Sequence, residues 1–262
     1  MPILLAAHTP WLERAAFLPL LLKHRICPEF YLHARHFEQI SPAEVRELQT
    51  TLRTHGLSCT LHAPFSGLDP GSPDPLIRQA TQRCLQQTLQ LATQLRPRVV
   101  VFHSGCTGRR SGAELEEWIT TSIGFWHAHL PLLLQTDTVL ALENIFERQP
   151  GPLRRVIEGV RHQRLRHCFD IGHFNLLGDV SVEEWFAELG RYCVECHLHD
   201  NRGTADEHLP LGEGSIDFTR LVRLLQRHAP AAVWTLEAHT PQRLERAYAA
   251  LQPLLAAHPT GF

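Results

Sequence analysis

The residues best suited to chemistry in this sequence of 262 residues lie close together, between positions 169 and 214. This stretch contains Asp-Ile-Gly-His at 170–173, His-Leu-His-Asp at 197–200 and Asp-Glu-His at 206–208. Carboxylate and neutral imidazole are the ligands that Zn²⁺ and similar divalent cations take when no thiolate is present. Three such groups in one short stretch predict a metal site.

Several of these side chains close short apolar runs that are typical of strands. A carboxylate at the end of such a run is costly to bury without a partner, and carboxylates that meet there repel one another unless a cation lies between them. This argument favours metal binding over a purely structural role. The residues that close apolar runs are His62, His103, Glu143, Asp170, His197 and Glu237.

Eight apolar runs alternate with longer amphipathic stretches, which is typical of a parallel sheet with intervening helices. Eight repeats predict an α/β fold, a single-domain (β/α)₈ TIM barrel over residues 1–262, with its active site at the carboxyl ends of the strands. A doubly wound open sheet is the competing fold, but the first turn has no Gly-x-Gly-x-x-Gly signature. The predicted strands are Ile3–His8, Glu29–His33, Ser58–His62, Val99–His103, Thr138–Asn144, Arg166–Asp170, Cys193–His197 and Val233–Glu237.

The composition narrows the classes of partner. With 44% hydrophobic residues, 20% charged residues and a formal net charge of −2, the chain has no general attraction for nucleic acid or for an anionic membrane. No apolar run approaches the roughly 20 residues of a membrane span. Seven scattered cysteines do not suggest a disulfide framework, so a cytoplasmic location is expected. The sequence is also compatible with a homo-oligomer.

The order of these residues resembles the xylose isomerase-like barrel superfamily, and within it the apurinic endonuclease IV branch and the sugar phosphate isomerase/epimerase-like proteins. In the endonuclease IV branch, nine side chains hold three zinc ions. The motifs here include Leu-His-Ala-Pro-Phe, Val-Phe-His-Ser-Gly, Asp-Ile-Gly-His and Asp-Glu-His-Leu-Pro-Leu-Gly-Glu-Gly. The resemblance implies as metal ligands His62, His103, Glu143, Asp170, His173, His197, Asp206, His208 and Glu237.

The resemblance implies a divalent-metal cofactor: two or three Zn²⁺ ions are expected, with Mn²⁺, Mg²⁺ or Co²⁺ as alternatives. Clustered zinc ions suit phosphoester cleavage. The leading hypothesis is therefore hydrolysis of a phosphoester in a small sugar phosphate, nucleotide or cofactor-like substrate. The alternative is a mononuclear sugar (phosphate) isomerase or epimerase, with Glu143, Asp170, His197 and Glu237 as ligands. Glu143 and Glu237 are the expected catalytic residues, and in the alternative they transfer protons.

DNA cleavage and a non-catalytic binding barrel rank below these two hypotheses. The loop after His62 keeps an aromatic residue, Phe65, but lacks the apolar wedge that the DNA-binding branch inserts into the duplex. Basic residues are not gathered on the strand-end loops, as a nucleic-acid enzyme would require. A small, phosphorylated substrate is therefore expected. The residues expected to contact it are Arg148, Arg202, His199 and Phe65, while Asp200 is expected to support a ligand histidine.

Overall fold

The computed structural model describes residues 3–257, and these form a closed barrel of eight parallel strands in sequence order. The first strand pairs with the second on one side and with the eighth on the other, so the sheet closes on itself. This confirms the predicted TIM barrel. The strands are β1 (Leu5–Pro10), β2 (Cys27–Tyr31), β3 (Thr60–His62), β4 (Val99–His103), β5 (Val139–Glu143), β6 (Leu165–Asp170), β7 (Cys193–Leu198) and β8 (Val233–Leu236).

Helices surround the barrel, and their starts follow from local sequence. Ser41 caps the helix that begins at Pro42 by accepting a hydrogen bond from the backbone N–H of Glu44, whose carboxylate accepts the N–H of Ser41 in return. Ser181 and Glu184 repeat this capping box at the helix that begins at Val182. The helices are α1 (Arg14–His24), α2 (Pro42–Thr54), α3 (Pro75–Leu95), α4 (Gly112–Leu133), α5 (Gly151–Val160), α6 (Ile171–Leu177), α7 (Val182–Leu189), α8 (Phe218–His228) and α9 (Pro241–Ala257).

One helix was not expected from the sequence. The pattern predicts that the sixth strand leads directly to a helix at Val182, but the short helix α6 comes in between and begins at the residue after β6. The Asp170 carboxylate accepts the backbone N–H of His173 at 2.7 Å and so caps α6. As a result, the first turn of α6 holds His173 beside the end of β6.

The apolar core lies mainly between the strands and the surrounding helices, where Trp118, Trp126, Trp185 and Phe169 are fully buried. A second, smaller cluster contains Ala6, Cys27, Val99, Val101, Ala141, Cys168 and Val233, all of them strand residues. Several strands also carry fully buried polar residues: Glu29, Thr60, Glu195 and Thr235. Since barrel strands alternate between interior and exterior, a polar layer lies beneath the carboxyl ends of the strands. Among residues 3–257, no helix is long and apolar enough to cross a membrane.

Candidate metal centre

Glu143, the last residue of β5, lies at the centre of the predicted ligands. Its Oε2 atom is 3.1 Å from Nε2 of His62 and 3.3 Å from Nε2 of His103. These histidines end the neighbouring strands β3 and β4, so the parallel register brings all three side chains to the same mouth of the barrel. Two imidazoles and one carboxylate thus converge on one point.

A second group surrounds Nδ1 of His197. This atom lies 3.1 Å from Oε1 of Glu143, 3.5 Å from Oε2 of Glu237 and 3.6 Å from Oδ2 of Asp170. One ligand atom from each of these four residues lies within 4.8 Å of the other three. Three carboxylates and one imidazole could therefore bind a single divalent cation. We call Glu143, Asp170, His197 and Glu237 the tetrad.

A third group is formed by α6 and the loop after β7. Asp206 Oδ2 is 2.9 Å from Nε2 of His208 and 3.4 Å from Nε2 of His173. His173 Nδ1 also lies 3.5 Å from Glu143 Oε1, which links this group to the tetrad. The structure therefore brings the nine residues implied by the resemblance together in one connected cluster.

Asp200 holds the loop that carries Asp206 and His208. Its fully buried carboxylate accepts the backbone N–H groups of Gly212 at 2.9 Å and Gly214 at 2.8 Å. A Cβ atom on Gly214 would lie 2.3 Å from Asp200 Oδ1, so only glycine permits this close approach. The expectation that Asp200 supports a ligand histidine is wrong: its hydrogen bonds hold the backbone of the loop instead.

His199, which the sequence predicts as a substrate contact, lies within the same cluster. It is fully buried, and its Nε2 atom is 3.2 Å from both carboxylate oxygens of Asp170. Its ring stacks on His208 with centroids 4.0 Å apart. His199 forms metal-capable groups with Asp170 and His173 on one side and with His208 and Glu237 on the other. The structure thus places His199 among the candidate ligands.

The donor set of this cluster fits a divalent cation. Glu237 Oε2, His199 Nδ1 and His208 Nδ1 are buried without a hydrogen-bond partner, so each has a lone pair or a proton still to be satisfied. Burial alone would raise the pKa of Glu143, but the imidazoles of His197 and His103 hold it well below its ordinary value. Ionised carboxylates and imidazoles within reach of one another suit Zn²⁺, Mn²⁺ or a similar ion.

The remaining predicted contacts lie around this cluster. Phe65, half-buried in the loop after β3, packs against His103. Arg148 forms a two-pronged ion pair with Asp179, and Arg202 pairs with Glu207, with about half of each arginine side chain exposed. That these three residues and His199 contact a substrate stays a prediction.

Two buried residues beside the tetrad were not among the predicted site residues. Glu29 of β2 is fully buried, with Oε1 3.2 Å from Nε2 of His197. His8 of β1 has its Nδ1 atom 3.7 Å from Glu29 Oε2 and 3.9 Å from Glu237 Oε1. The sequence signal was weak at both positions: His8 closes the predicted first strand but matches no ligand of the family, and Glu29 stands at the start of the predicted second strand rather than at its end.

Comparison with known proteins identifies the family. The sequence profile of the xylose isomerase-like TIM barrel family matches residues 27–257. The chain belongs to this family. Members of this superfamily are typically enzymes that isomerise or epimerise sugars. The match covers seven of the eight strands and all of the candidate ligands.

Individual relatives agree with this assignment. The chain is 26% identical over 205 residues to the uncharacterized protein MJ1311 of Methanocaldococcus jannaschii. This match covers 76% of this chain and 70% of the relative. It is 27% identical to the TTHB071 protein of Thermus thermophilus, whose structure was obtained after soaking with ZnCl₂. The two structures match with a TM-score of 0.85, over 98% of this chain and all of that chain. A D-tagatose 3-epimerase-like protein matches with a TM-score of 0.83 at 22% identity, over 97% of this chain and 98% of that chain, which is a likeness in fold.

Proposed function

We propose that this protein is a divalent-metal-dependent isomerase or epimerase of a small sugar or sugar phosphate. The observation that carries the proposal is the tetrad, in which three carboxylates and one imidazole from four different strand ends surround a single point. The likeness in fold to a D-tagatose 3-epimerase-like protein supports it. This reaction, the alternative in our sequence analysis, replaces phosphoester hydrolysis as the leading hypothesis.

Glu143 and Glu237 are suited to move a proton across the substrate. Glu143 ends β5 and Glu237 directly follows β8, three strands further round the barrel, yet a carboxylate oxygen of each lies within 3.5 Å of the same His197 Nδ1 atom. A sugar bound over the tetrad would lie between these two carboxyl groups. One of them, as the carboxylate, would remove the proton from the carbon beside the carbonyl group, and the other, as the carboxylic acid, would return a proton to the opposite face or to the neighbouring carbon.

The substrate's oxygens would be oriented by the same group. A divalent cation held by the tetrad would supply Lewis acidity for a carbonyl or hydroxyl oxygen of the substrate, which would make the neighbouring C–H bond more acidic. Because Glu143 is almost fully buried and its pKa is held well below its ordinary value, it stays ionised near neutral pH. His208, whose pKa is raised to about 9 by Glu237 and Asp206 against the effect of burial, offers an N–H group at the mouth.

Phosphoester hydrolysis is the second candidate, and one observation favours it. The tetrad is flanked by His62 and His103 on one side and by the group of His173, Asp206 and His208 on the other. A single-metal isomerase does not require these five additional side chains. If all of them bind zinc, the site would hold two or three ions and would suit a phosphoester.

Metal content and solvent isotope exchange distinguish the two functions. Elemental analysis of untagged protein gives the metal stoichiometry, and NMR in D₂O with a panel of ketoses, aldoses and their phosphates gives carbon-bound deuterium. We expect one essential metal per chain and deuterium at the carbon next to the carbonyl group. Two or three zinc ions together with release of phosphate, and no isotope exchange, would overturn the proposal in favour of hydrolysis.

A glutamine substitution tests the proton-transfer role. Glu237→Gln keeps an oxygen that can bind the cation but removes the basic carboxylate, so isotope exchange should fall by about 10²–10⁴-fold. Glu183→Gln, at an exposed ion pair with Arg220 on the outer helices, is the matched control and should leave exchange unchanged. Full exchange in Glu237→Gln would assign the proton transfer to another group.

A further inference from the structure

A second layer of carboxylates lies directly beneath the tetrad. Glu29 of β2 and Glu195 of β7 are both fully buried inside the barrel. Glu29 Oε1 is 3.2 Å from His197 Nε2, whereas His197 Nδ1 faces Glu143 Oε1 at 3.1 Å. The imidazole of His197 therefore lies between the carboxylates at the mouth and a deeper one, with one ring nitrogen directed to each.

This arrangement restricts the protonation of the ring. An imidazole that binds a cation through Nδ1 is neutral and carries its proton on Nε2. Glu29 Oε1 is positioned to accept a hydrogen bond from this Nε2–H group. The hydrogen bond also stabilises Glu29, because a carboxylate is costly to bury without a hydrogen-bond donor. Metal-binding histidines are commonly oriented by a carboxylate on the other ring nitrogen.

We infer that Glu29 is a positioning residue of the candidate metal centre: it holds His197 with the proton on Nε2 and directs Nδ1 at the cation. Glu29 itself is not a ligand of that cation, because it lies on the far side of the imidazole ring from Glu143. The inference rests on the proposed metal-dependent function. It assigns a role to a residue in the middle of a strand, well below the strand ends.

Glu195 provides a matched control within the same layer. One of its ligand atoms lies within 4.8 Å of those of Glu29 and His197, so it shares their surroundings. Its Oε1 atom, however, accepts hydrogen bonds from Thr60 at 3.3 Å and Thr235 at 2.5 Å. Replacing either glutamate by glutamine removes one buried carboxyl group, but only the change at Glu29 alters the hydrogen bond to His197.

Zinc affinity is the first test. Zn²⁺ binding to the full chain is measured by competition with a chromophoric chelator in the wild type, Glu29→Gln and Glu195→Gln. We expect Glu29→Gln to weaken binding by about 10–100-fold and Glu195→Gln by less than about 3-fold. Unchanged binding in Glu29→Gln, or equal weakening in both variants, would overturn the inference.

The protonation of His197 gives a readout that does not require a variant to fold. In the zinc-loaded wild type labelled with ¹⁵N-histidine, we expect the His197 proton on Nε2, and a proton on Nδ1 would overturn the inference. Wild-type protein that binds no zinc would overturn both the inference and the proposed function. Weakened zinc binding in Glu29→Gln without any isomerase activity in the wild type would overturn the proposed function alone.

Discussion

Phe65 lies flat on the imidazole ring of His103, with ring centroids 4.1 Å apart and planes inclined by 10°. The contact fixes one face of a candidate ligand, and burial lowers the pKa of that histidine to about 3. His103 is therefore neutral at physiological pH, as a metal-binding imidazole must be. Phe65, which the sequence predicts as a substrate contact, thus also supports the ring of a candidate metal ligand.

This support predicts a measurable coupling between the two rings. Stacked aromatic pairs contribute about 0.5–1.5 kcal/mol beyond their buried area. A double-mutant cycle with Phe65→Leu and His103→Leu, measured by urea unfolding of metal-free protein, should give a coupling energy in this range. His55 is an exposed histidine in another part of the chain. The same cycle with Phe65→Leu and His55→Leu should give a coupling energy of about zero. Coupling below about 0.3 kcal/mol for the first pair would show that the stacking adds no stability.

Glu143 should be indispensable for metal binding. Its two carboxylate oxygens face different groups, Oε2 the histidines of β3 and β4 and Oε1 His197. Glu143→Gln removes the carboxylate charge that would balance a bound cation at the centre of these groups. We expect loss of at least one metal ion by elemental analysis and no detectable turnover, with an unchanged far-ultraviolet circular dichroism spectrum. Full metal content in Glu143→Gln would contradict the central position we assign to this residue.

His167 should make the folded protein sensitive to acid. Its Nδ1 lies 2.9 Å from the carbonyl oxygen of Leu142, and its Nε2 accepts the indole N–H of Trp185 at 3.1 Å. Burial lowers the pKa of His167 from 6.5 to about 4. Below pH ~6.5 this histidine is protonated in the unfolded chain but still neutral in the folded chain. The free energy of unfolding is therefore unaffected by His167 above that pH, and it falls by up to about 3 kcal/mol as the pH drops to 4.

Urea unfolding at pH 7.5 and pH 4.5 checks this dependence. Glutamine at position 167 cannot titrate. The free energy of unfolding of His167→Gln should therefore fall between the two pH values by about 2 kcal/mol less than that of the wild type. His55→Gln, at an exposed helix end, should follow the wild type. Identical pH dependence in His167→Gln and the wild type would assign the acid sensitivity to other groups.

Arg148 tests whether the substrate carries a phosphate group. Its guanidinium is held by Asp179 but is still half exposed, so it can bind an anion at the surface. We expect Arg148→Gln to raise KM for a phosphorylated substrate by about 5-fold or more and to leave kcat within about 2-fold, because a contact made equally in ground and transition states affects only binding. Arg155→Gln removes a similar two-pronged ion pair, with Glu116, between α4 and α5 and is the control. Equal KM values for Arg148→Gln and the wild type would limit Arg148 to its pairing with Asp179.

The sequence predicted the barrel and the strand-end cluster because both depend on local patterns. An apolar run that ends in a carboxylate or histidine marks a position at the mouth, and closure of the sheet then brings His62 and Glu143 together without further information. Interactions across the barrel are different. Glu29 and His197 are separated by 168 positions, and no local pattern links them. Likewise, Asp200 has the residue type of a ligand support, and only the path of the loop shows that it binds backbone amides.

The way Asp200 holds its loop has a consequence for how this site can change during evolution. The carboxylate binds main-chain N–H groups of Gly212, Gly214 and Ile216, and these hydrogen bonds do not involve the side chains of Asp206 or His208. Substitutions at Asp206 or His208 can therefore alter the ligands or the substrate contacts without refolding the segment. The barrel can thus keep its strands and helices while this short loop acquires different ligand residues.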